Sequence, residues 1–176
     1  MQEIETARLY LRQFTPNDLE DLYRIYSDSE VMKYLSKGVR NREETAGDLF
    51  QIIADWEKNA FGLWAVVNKQ NNQLIGDGGL RFLGKTPEVE VGYVLAKAYW
   101  GKGLASEVAA ASLKYGFEVL KLEKIVAVAD TENRSSRRVM EKMGMKYQHN
   151  FHYRERDRVY YSISRKIYQS KVVELS

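Results

Sequence analysis

Between Glu88 and Leu120 the apolar residues change period, from the alternation of a strand to the spacing of a helix, and the loop between them carries two glycines. In the run Glu88 to Leu95, Val89, Val91 and Tyr93 share one face, and Glu88, Glu90 and Gly92 share the other. A helix is expected from about Gly103 to Leu120. The first amides of a helix have no partner inside it, so the loop Trp100-Gly101-Lys102-Gly103-Leu104-Ala105, with Ser106 behind it, offers N–H donors and the positive end of a helix dipole to an anion. Gly101 and Gly103 let the backbone approach a ligand without a Cβ in the way, and Lys102 adds charge at the rim.

The rest of the chain supplies a sheet for this unit to join. Residues 8 to 14 alternate polar with apolar and read as a first strand, ended by Thr15-Pro16 with Thr15 as helix cap. Two short helices are expected between Pro16 and Leu35, broken near Ser27-Asp28-Ser29, and a third from about Arg42 to Asn59. Strand runs at Gly62 to Asn68, Gln73 to Leu83 and Glu88 to Leu95 are separated by Asn71-Asn72 and Gly84-Lys85-Thr86-Pro87, which predicts an antiparallel meander. After the glycine loop come a strand at Lys124 to Ala129, a helix from about Arg134 to Met143, and strands near Lys146 to His152 and Val159 to Ile167. The expected class is α+β: a mixed, mostly antiparallel central sheet of about seven strands flanked by helices.

Composition narrows the function. A chain of 176 residues, 44% hydrophobic, with two prolines and no linker-like stretch, is expected to form a single domain over residues 1–176. With no cysteine, disulfides, thiolate zinc sites and a cysteine nucleophile are excluded, and a cytoplasmic location is the expectation. The acidic N-terminus Met1-Gln2-Glu3-Ile4-Glu5 lacks the basic and apolar stretches of a secretory signal, and no 18-residue apolar run predicts a membrane span. His149 and His152 lack a matching carboxylate pattern, so no metal site is expected. The net charge of +3 suits a phosphate-bearing ligand, but the mixed charges from Arg154 to Arg158 read as a solvated hairpin tip and not as a nucleic-acid stripe.

Spacing alone leaves the glycine loop open to a dinucleotide, to a phosphate-bearing cofactor, or to a purely steric role. A dinucleotide fingerprint starts directly off the first strand of a βαβ unit, whereas here several elements precede the loop, and the spacing of a P-loop is missing. Context decides further. Glu90-Val91-Gly92-Tyr93-Val94-Leu95, the loop Trp100 to Ala105 with Ser106-Glu107, Asn133-Arg134-Ser135-Ser136 and Glu141-Lys142-Met143-Gly144-Met145 together resemble the GNAT N-acetyltransferase superfamily, and specifically its RimJ/RimL branch, named for ribosomal-protein N-terminal acetyltransferases. Thr6-Ala7-Arg8-Leu9-Tyr10-Leu11-Arg12, Asp18, Val31 to Leu35, Trp64-Ala65-Val66 and Leu74-Ile75-Gly76 extend the resemblance over roughly residues 5 to 165. The superfamily signature begins with Gln or Arg; Trp100 departs from it in the manner of the RimJ/RimL branch.

The resemblance implies acetyl-CoA as co-substrate and direct transfer to an amine, with the pyrophosphate on the loop from Trp100 to Ser106. It implies carbonyl or pantetheine contacts from the backbone of Val94 and Leu95, a pantetheine contact from Asn133, and Glu90 as base, directly or through water. Asp77 is the weaker alternative base. The tyrosine that many members use to protonate the leaving thiolate is replaced here by Met140, and the branch's substitute is Ser136. Asn133 and Ser136 also read as ordinary helix caps, and Arg137 and Arg138 as lesser phosphate contacts. Val94 and Leu95 read as core packing besides. The expected acceptor is a protein N-terminal α-amine, with small-molecule amines as the alternative, chosen by the segments 34–45 and 149–157. Competing classes are a non-catalytic CoA-binding module and an RNA-associated module. A monomer or a homodimer built on the aromatic C-terminal strands is expected.

Overall fold

The computed structural model describes residues 3–175; Met1 and Gln2, part of the N-terminal signal reading, lie outside the described residues with Ser176. The strands are β1 (Ile4–Glu5), β2 (Leu9–Arg12), β3 (Leu63–Asn68), β4 (Gln73–Phe82), β5 (Val89–Leu95), β6 (Lys124–Asp130), β7 (Lys146–Tyr153) and β8 (Arg156–Ser164). The helices are α1 (Leu19–Tyr26), α2 (Arg42–Asn59), α3 (Leu104–Lys114), α4 (Arg134–Lys142) and α5 (Arg165–Leu175). All eight strands form one sheet, in the order β1-β2-β3-β4-β5-β6-β8-β7. Among the described residues only β5 and β6 pair in parallel.

The sheet separates two cores. On the first face Trp64, Leu80, Val91, Ile125 and Tyr161 meet Val108 and Met140 from α3 and α4, with Tyr168 of α5 packed alongside. On the second face Leu63 and Ala65 meet Leu22, Ile25 and Tyr26 of α1 and Leu49 and Ile52 of α2. The cross-strand register propagates these faces. Asp77 stands opposite Val94 and Arg81 opposite Glu90 on the second face, while Gly78 opposite Tyr93 and Leu80 opposite Val91 stand on the first. Gly78 permits the contact with α3, because a Cβ built there would come within 2.3 Å of Val108.

Four elements differ from expectation. The helix expected after Ser27 is a series of turns, in which the Asp28 carboxylate accepts from the Glu30 amide and competes with helical bonding. The helix after the glycine loop stays α-helical only to Lys114 and finishes as one π-helical stretch, Tyr115–Val119. A two-residue strand, β1, adds an eighth strand. The last strand starts earlier than expected, at Arg156, and stops at Ser164, where α5 begins and stacks Tyr168 on Phe117 at 4.8 Å. The apolar alternation Val159, Tyr161, Ile163 ends with the strand, and the expected end at Ile167 lies in the first turn of α5.

Candidate active site

The site forms where β5 and β6 stop pairing. Their parallel register consists of one rung, Glu90 with Val126, although β5 runs on to Leu95 and β6 to Asp130. Beyond Glu90 the two strands diverge into a wedge, and the backbone of β5 facing β6 has no strand partner there. The Ala96 amide donates to Ile75 of β4, and a Cβ built at Gly76 of β4 would meet the Val94 carbonyl, so the Val94 backbone faces β4 and it is the Leu95 N–H that faces the β6 side.

The glycine loop follows β5, past the open end of the wedge. Gly101 and Gly103 have φ of +70° and +77°, left-handed values that glycine adopts without strain. Gly103 is the N-cap of α3, and Glu107 makes the first bond of the helical ladder, back to the Gly103 carbonyl, so the amides of Leu104, Ala105 and Ser106 precede that ladder. The indole Nε1 of Trp100 donates to the Leu95 carbonyl at 2.8 Å and ties the loop to the end of β5, which gives this residue a structural reason to stand where the superfamily has Gln or Arg. Lys102 sits at the rim with its ammonium 5.5 Å from the Tyr99 ring.

Sequence reasoning missed Arg8 and Glu107 as parts of this loop. Arg8 donates through Nη1 to the Lys102 carbonyl at 2.8 Å and through Nε to Glu107 at 2.8 Å, and Thr6 adds a hydroxyl bond to the same carboxylate. The available signal was the pairing of an arginine in a conspicuous N-terminal run with a glutamate in the first turn after the loop. A space-free test isolates the loop's chemistry: a Cβ at Gly101 meets nothing within 4 Å, so Gly101→Ala costs the free protein about 1 kcal/mol of backbone strain. The same methyl would stand on the ligand-facing loop, and the KM for acetyl-CoA is expected to rise about tenfold with a smaller change in kcat; an unchanged KM would remove the loop from cofactor binding.

The start of α4 lies across the wedge. Asn133 accepts from the Ser136 amide at 3.2 Å, so it is the helix N-cap. The Ser136 hydroxyl lies 3.1 Å from the Tyr93 hydroxyl, which also donates to the Ser136 carbonyl. Burial pushes the Tyr93 phenol up to about 12, so it stays protonated and a hydrogen-bond donor at neutral pH. Tyr93 was named in sequence only as a strand residue, and its partner on α4 is a contact of long sequence separation. Met140 is buried in the first core, and Arg137 donates to the Thr131 carbonyl at 3.2 Å.

On the second face stand the carboxylates. Glu90 was expected to face a cleft beside open space at Gly92; it is instead 5% exposed and accepts from Arg81 Nε at 2.7 Å, with the Arg81 guanidinium lying over Gly92. Its neighbour Glu88, expected in solvent, is half-buried between Lys124 and Tyr160. Asp77, expected at a kink or bulge, stands beside one, since the β3–β4 register shifts between Leu74 and Gly76, but itself pairs regularly with Ala65 and Val94; it is 2% exposed and accepts from the Tyr26 hydroxyl at 2.7 Å. Burial raises its pKa from 3.8 to about 6, against the opposing effect of that hydrogen bond. A cleft of about 370 Å³ between α2 and the end of β4, lined by Gln51, Asp55, Lys58, Arg81 and Phe82, reaches the arginine that holds Glu90 and lies away from the glycine loop.

The segments expected to select the acceptor flank this face. Residues 34–41 are turns ending at the Asn41 cap of α2, and 149–157 is the β7–β8 hairpin, with Arg154 and Glu155 both at positive φ in its tip. His149 stacks on Tyr160 at 4.8 Å and His152 pairs with Asp157. Among the described residues there is no group of three or more side chains able to hold a metal ion, and no helix is long and apolar enough to cross a membrane.

Comparisons with known proteins identify the family of this fold. The family model described as an acetyltransferase (GNAT) domain matches residues 8–146. The chain belongs to the GNAT acetyltransferase family. It is 37% identical over 145 residues to a Bacillus subtilis strain 168 protein named uncharacterized N-acetyltransferase YoaA, covering 80% of this chain and 81% of that one. A GNAT-family acetyltransferase from Bacillus anthracis superposes with a TM-score of 0.83 at 34% identity, over 94% of this chain and 99% of that one. A relative from Aspergillus fumigatus strain Af293, 28% identical over 84% of this chain and 66% of its own, is named an FsC-acetyl coenzyme A-N(2)-transacetylase. This chain is an N-acetyltransferase, and its co-substrate is acetyl-CoA.

Proposed function

We propose that this GNAT enzyme transfers acetyl directly from acetyl-CoA to a primary amine in a ternary complex, and that the acceptor class is a protein N-terminal α-amine, as in the RimJ/RimL branch. The observation that carries the proposal is the wedge itself. The reading is supported by the single rung that joins β5 to β6 at Glu90, by the glycine loop that opens α3 beyond β5, and by the Tyr93–Ser136 contact at the start of α4. The pyrophosphate lies on the amides from Trp100 to Ser106, with Lys102 at the rim. Asn133 both caps α4 and meets the pantetheine. The amine reaches the second face, where a cleft leads to Arg81 and Glu90.

In the transfer, the amine nitrogen attacks the thioester carbonyl carbon, whose oxygen takes a hydrogen bond from the Leu95 N–H; the Val94 backbone, expected to share that role, is turned toward β4. Glu90 accepts the amine proton through its second oxygen or a water, Oε1 being held by Arg81. The C–S bond then breaks and the thiolate is met by the Ser136 hydroxyl, itself paired with Tyr93. A thiol with an ordinary pKa of about 8.5 needs a hydrogen bond more than a strong acid, so a serine suffices. Asp77 is a second candidate base, favoured by its position opposite Val94 and its raised pKa.

Relatives named for small acceptors keep the alternative in view: a spermidine N(1)-acetyltransferase of Escherichia coli K12 is 25% identical over 135 residues, covering 76% of this chain and 70% of that one. A cytoplasmic, single-domain protein over residues 1–176, working as a monomer or as a homodimer through the β7 edge, completes the proposal. Two measurements test it. Acetyl-CoA is expected to raise the unfolding temperature, by about 2.7 kcal/mol of stabilisation at a hundred times its Kd. Thiol release with N-terminal peptides and small amines under one set of conditions is expected to favour the peptides; preference for a polyamine would reassign the acceptor.

A further inference from the structure

Arg158 on β8 is a buried cation with an unused edge. It is 7% exposed, and neither Nε nor Nη2 has a hydrogen-bond partner among the described residues. The carboxylate opposite it in the sheet, Asp130 on β6, is already engaged: Oδ2 accepts from Arg156 at 3.0 Å and Oδ1 from the Glu132 amide at 2.9 Å. A guanidinium stays charged at any pH a protein survives, and burying it without hydrogen bonds is costly. Nε and Nη2 are also the two nitrogens whose N–H bonds run parallel along one side of the guanidinium, the side that receives both oxygens of a carboxylate.

The register says where that edge belongs. Arg158 pairs with Asp130, Tyr160 with Val128 and Ser162 with Val126 on one face of β6 and β8, and Val126 is the rung shared with Glu90. Arg158 therefore shares the second face with Glu90, on the far side of the wedge. The groups that act on its charge are Asp130 and Glu90, which favour it, Arg156, which opposes it, and Tyr153. Helix α3, which carries the pyrophosphate loop, packs on the other face through Val108 at Gly78.

We propose that Arg158 is the anion-recognising residue of the acceptor site, and that the acceptor is an amine carrying a carboxylate close to the nitrogen that is acetylated. Two sources share this chemistry: a free α-amino acid, through its own carboxylate, and a peptide with an acidic side chain at or next to its N-terminus. This rests on the reading above that the amine lies beside Glu90; a preference for the acidic peptide keeps the protein N-terminal acceptor, and a preference for the free amino acids moves the acceptor to a small molecule.

The test uses matched pairs that differ only in charge: alanine, phenylalanine and glutamate against their carboxamides, and the peptides Ser-Glu-Ala-Ala and Ser-Gln-Ala-Ala, with spermidine as an amine lacking any anion. Thiol release is measured for the wild type, Arg158→Gln and Arg158→Lys. The wild type is expected to prefer the charged member of at least one pair by about tenfold to a hundredfold in kcat/KM, the worth of a charge-assisted hydrogen bond. Whether the amino acids or the acidic peptide show that preference tells the two sources apart. Arg158→Gln is expected to abolish the preference through the acceptor KM while leaving the KM for acetyl-CoA unchanged, and Arg158→Lys to keep part of it. Equal use of charged and neutral acceptors by the wild type overturns the proposal, as does a variant whose acetyl-CoA KM moves instead. If no amine is turned over, the acceptor assignment itself fails. Stabilisation of the CoA complex by N-acetylalanine but not by N-acetylalaninamide then still decides for Arg158, and equal stabilisation decides against it.

Discussion

Glu90→Gln is expected to lower kcat by about a hundredfold to ten-thousandfold, the usual worth of a positioned general base, with little change in the KM for acetyl-CoA. The substitution is close to isosteric and its amide oxygen can still accept from Arg81, so the fold is preserved. The charge that loses its partner is the Arg81 guanidinium, whose side chain is 49% exposed and can be rehydrated, so the loss of stability stays small. Cofactor binding is spared because Glu90 stands at the closed end of the wedge, while the glycine loop stands past the open end of the same strand. Thiol-release kinetics at saturating acetyl-CoA, with a thermal shift by CoA measured alongside, separates these effects. A variant that keeps its rate would remove Glu90 from proton transfer and leave Asp77 as the base.

The parts of this site that could be read in the sequence are those set by local pattern. The alternation in Glu88 to Leu95 places Glu90 and Gly92 on one face and Tyr93 on the other, and the two glycines before a helical run mark an anion-binding loop. The Asn133 cap follows from its residue type at a helix start. The parts that could not be read depend on contacts across many residues. Arg81 and Glu90 meet because β4 and β5 pair in a register set by the whole hairpin. Tyr93 reaches Ser136 only because α4 packs back across β6. The divergence of β5 from β6 has no sequence signal, since each strand carries the valines and isoleucines of an ordinary sheet strand, Val89, Val91 and Val94 in one and Ile125, Val126 and Val128 in the other, and looks ready to pair. The C-terminal helix α5 follows the last strand with no intervening loop, and a local mark of its start is Ser164, whose hydroxyl accepts from the Ile167 amide.

Asp77→Asn is expected to stabilise the protein at neutral pH, by up to about 3 kcal/mol, while leaving it little changed near pH 4. Asp77 is buried, and its folded pKa of about 6 lies above the unfolded value of 3.8. Below the lower value both states are protonated there and the carboxyl costs nothing extra. Between the two values the unfolded chain releases the proton and the folded chain keeps it, so stability falls as pH rises; above pH 6 the whole penalty is present, about 1.4 kcal/mol for each pH unit of separation. An asparagine is neutral throughout, and its carbonyl can still accept from Tyr26 at the position now bonded at 2.7 Å. The net gain is smaller wherever the new amide N–H groups lack acceptors. Other carboxylates act in the opposite sense: the hydrogen bonds of Glu107 to Thr6 and Arg8 outweigh its burial and lower its pKa, so its contribution is lost as pH falls. The difference between variant and wild type, measured by urea unfolding at pH 4 and pH 8, isolates Asp77 from them. A difference that does not grow with pH would mean that this carboxyl is no burden at neutral pH. If it does grow, the wild-type fold carries a charged group at a standing cost, opposite Val94 and on the face that Glu90 shares. That is the pattern of a stability penalty kept for activity, and a matching fall in kcat for Asp77→Asn would show which activity it serves.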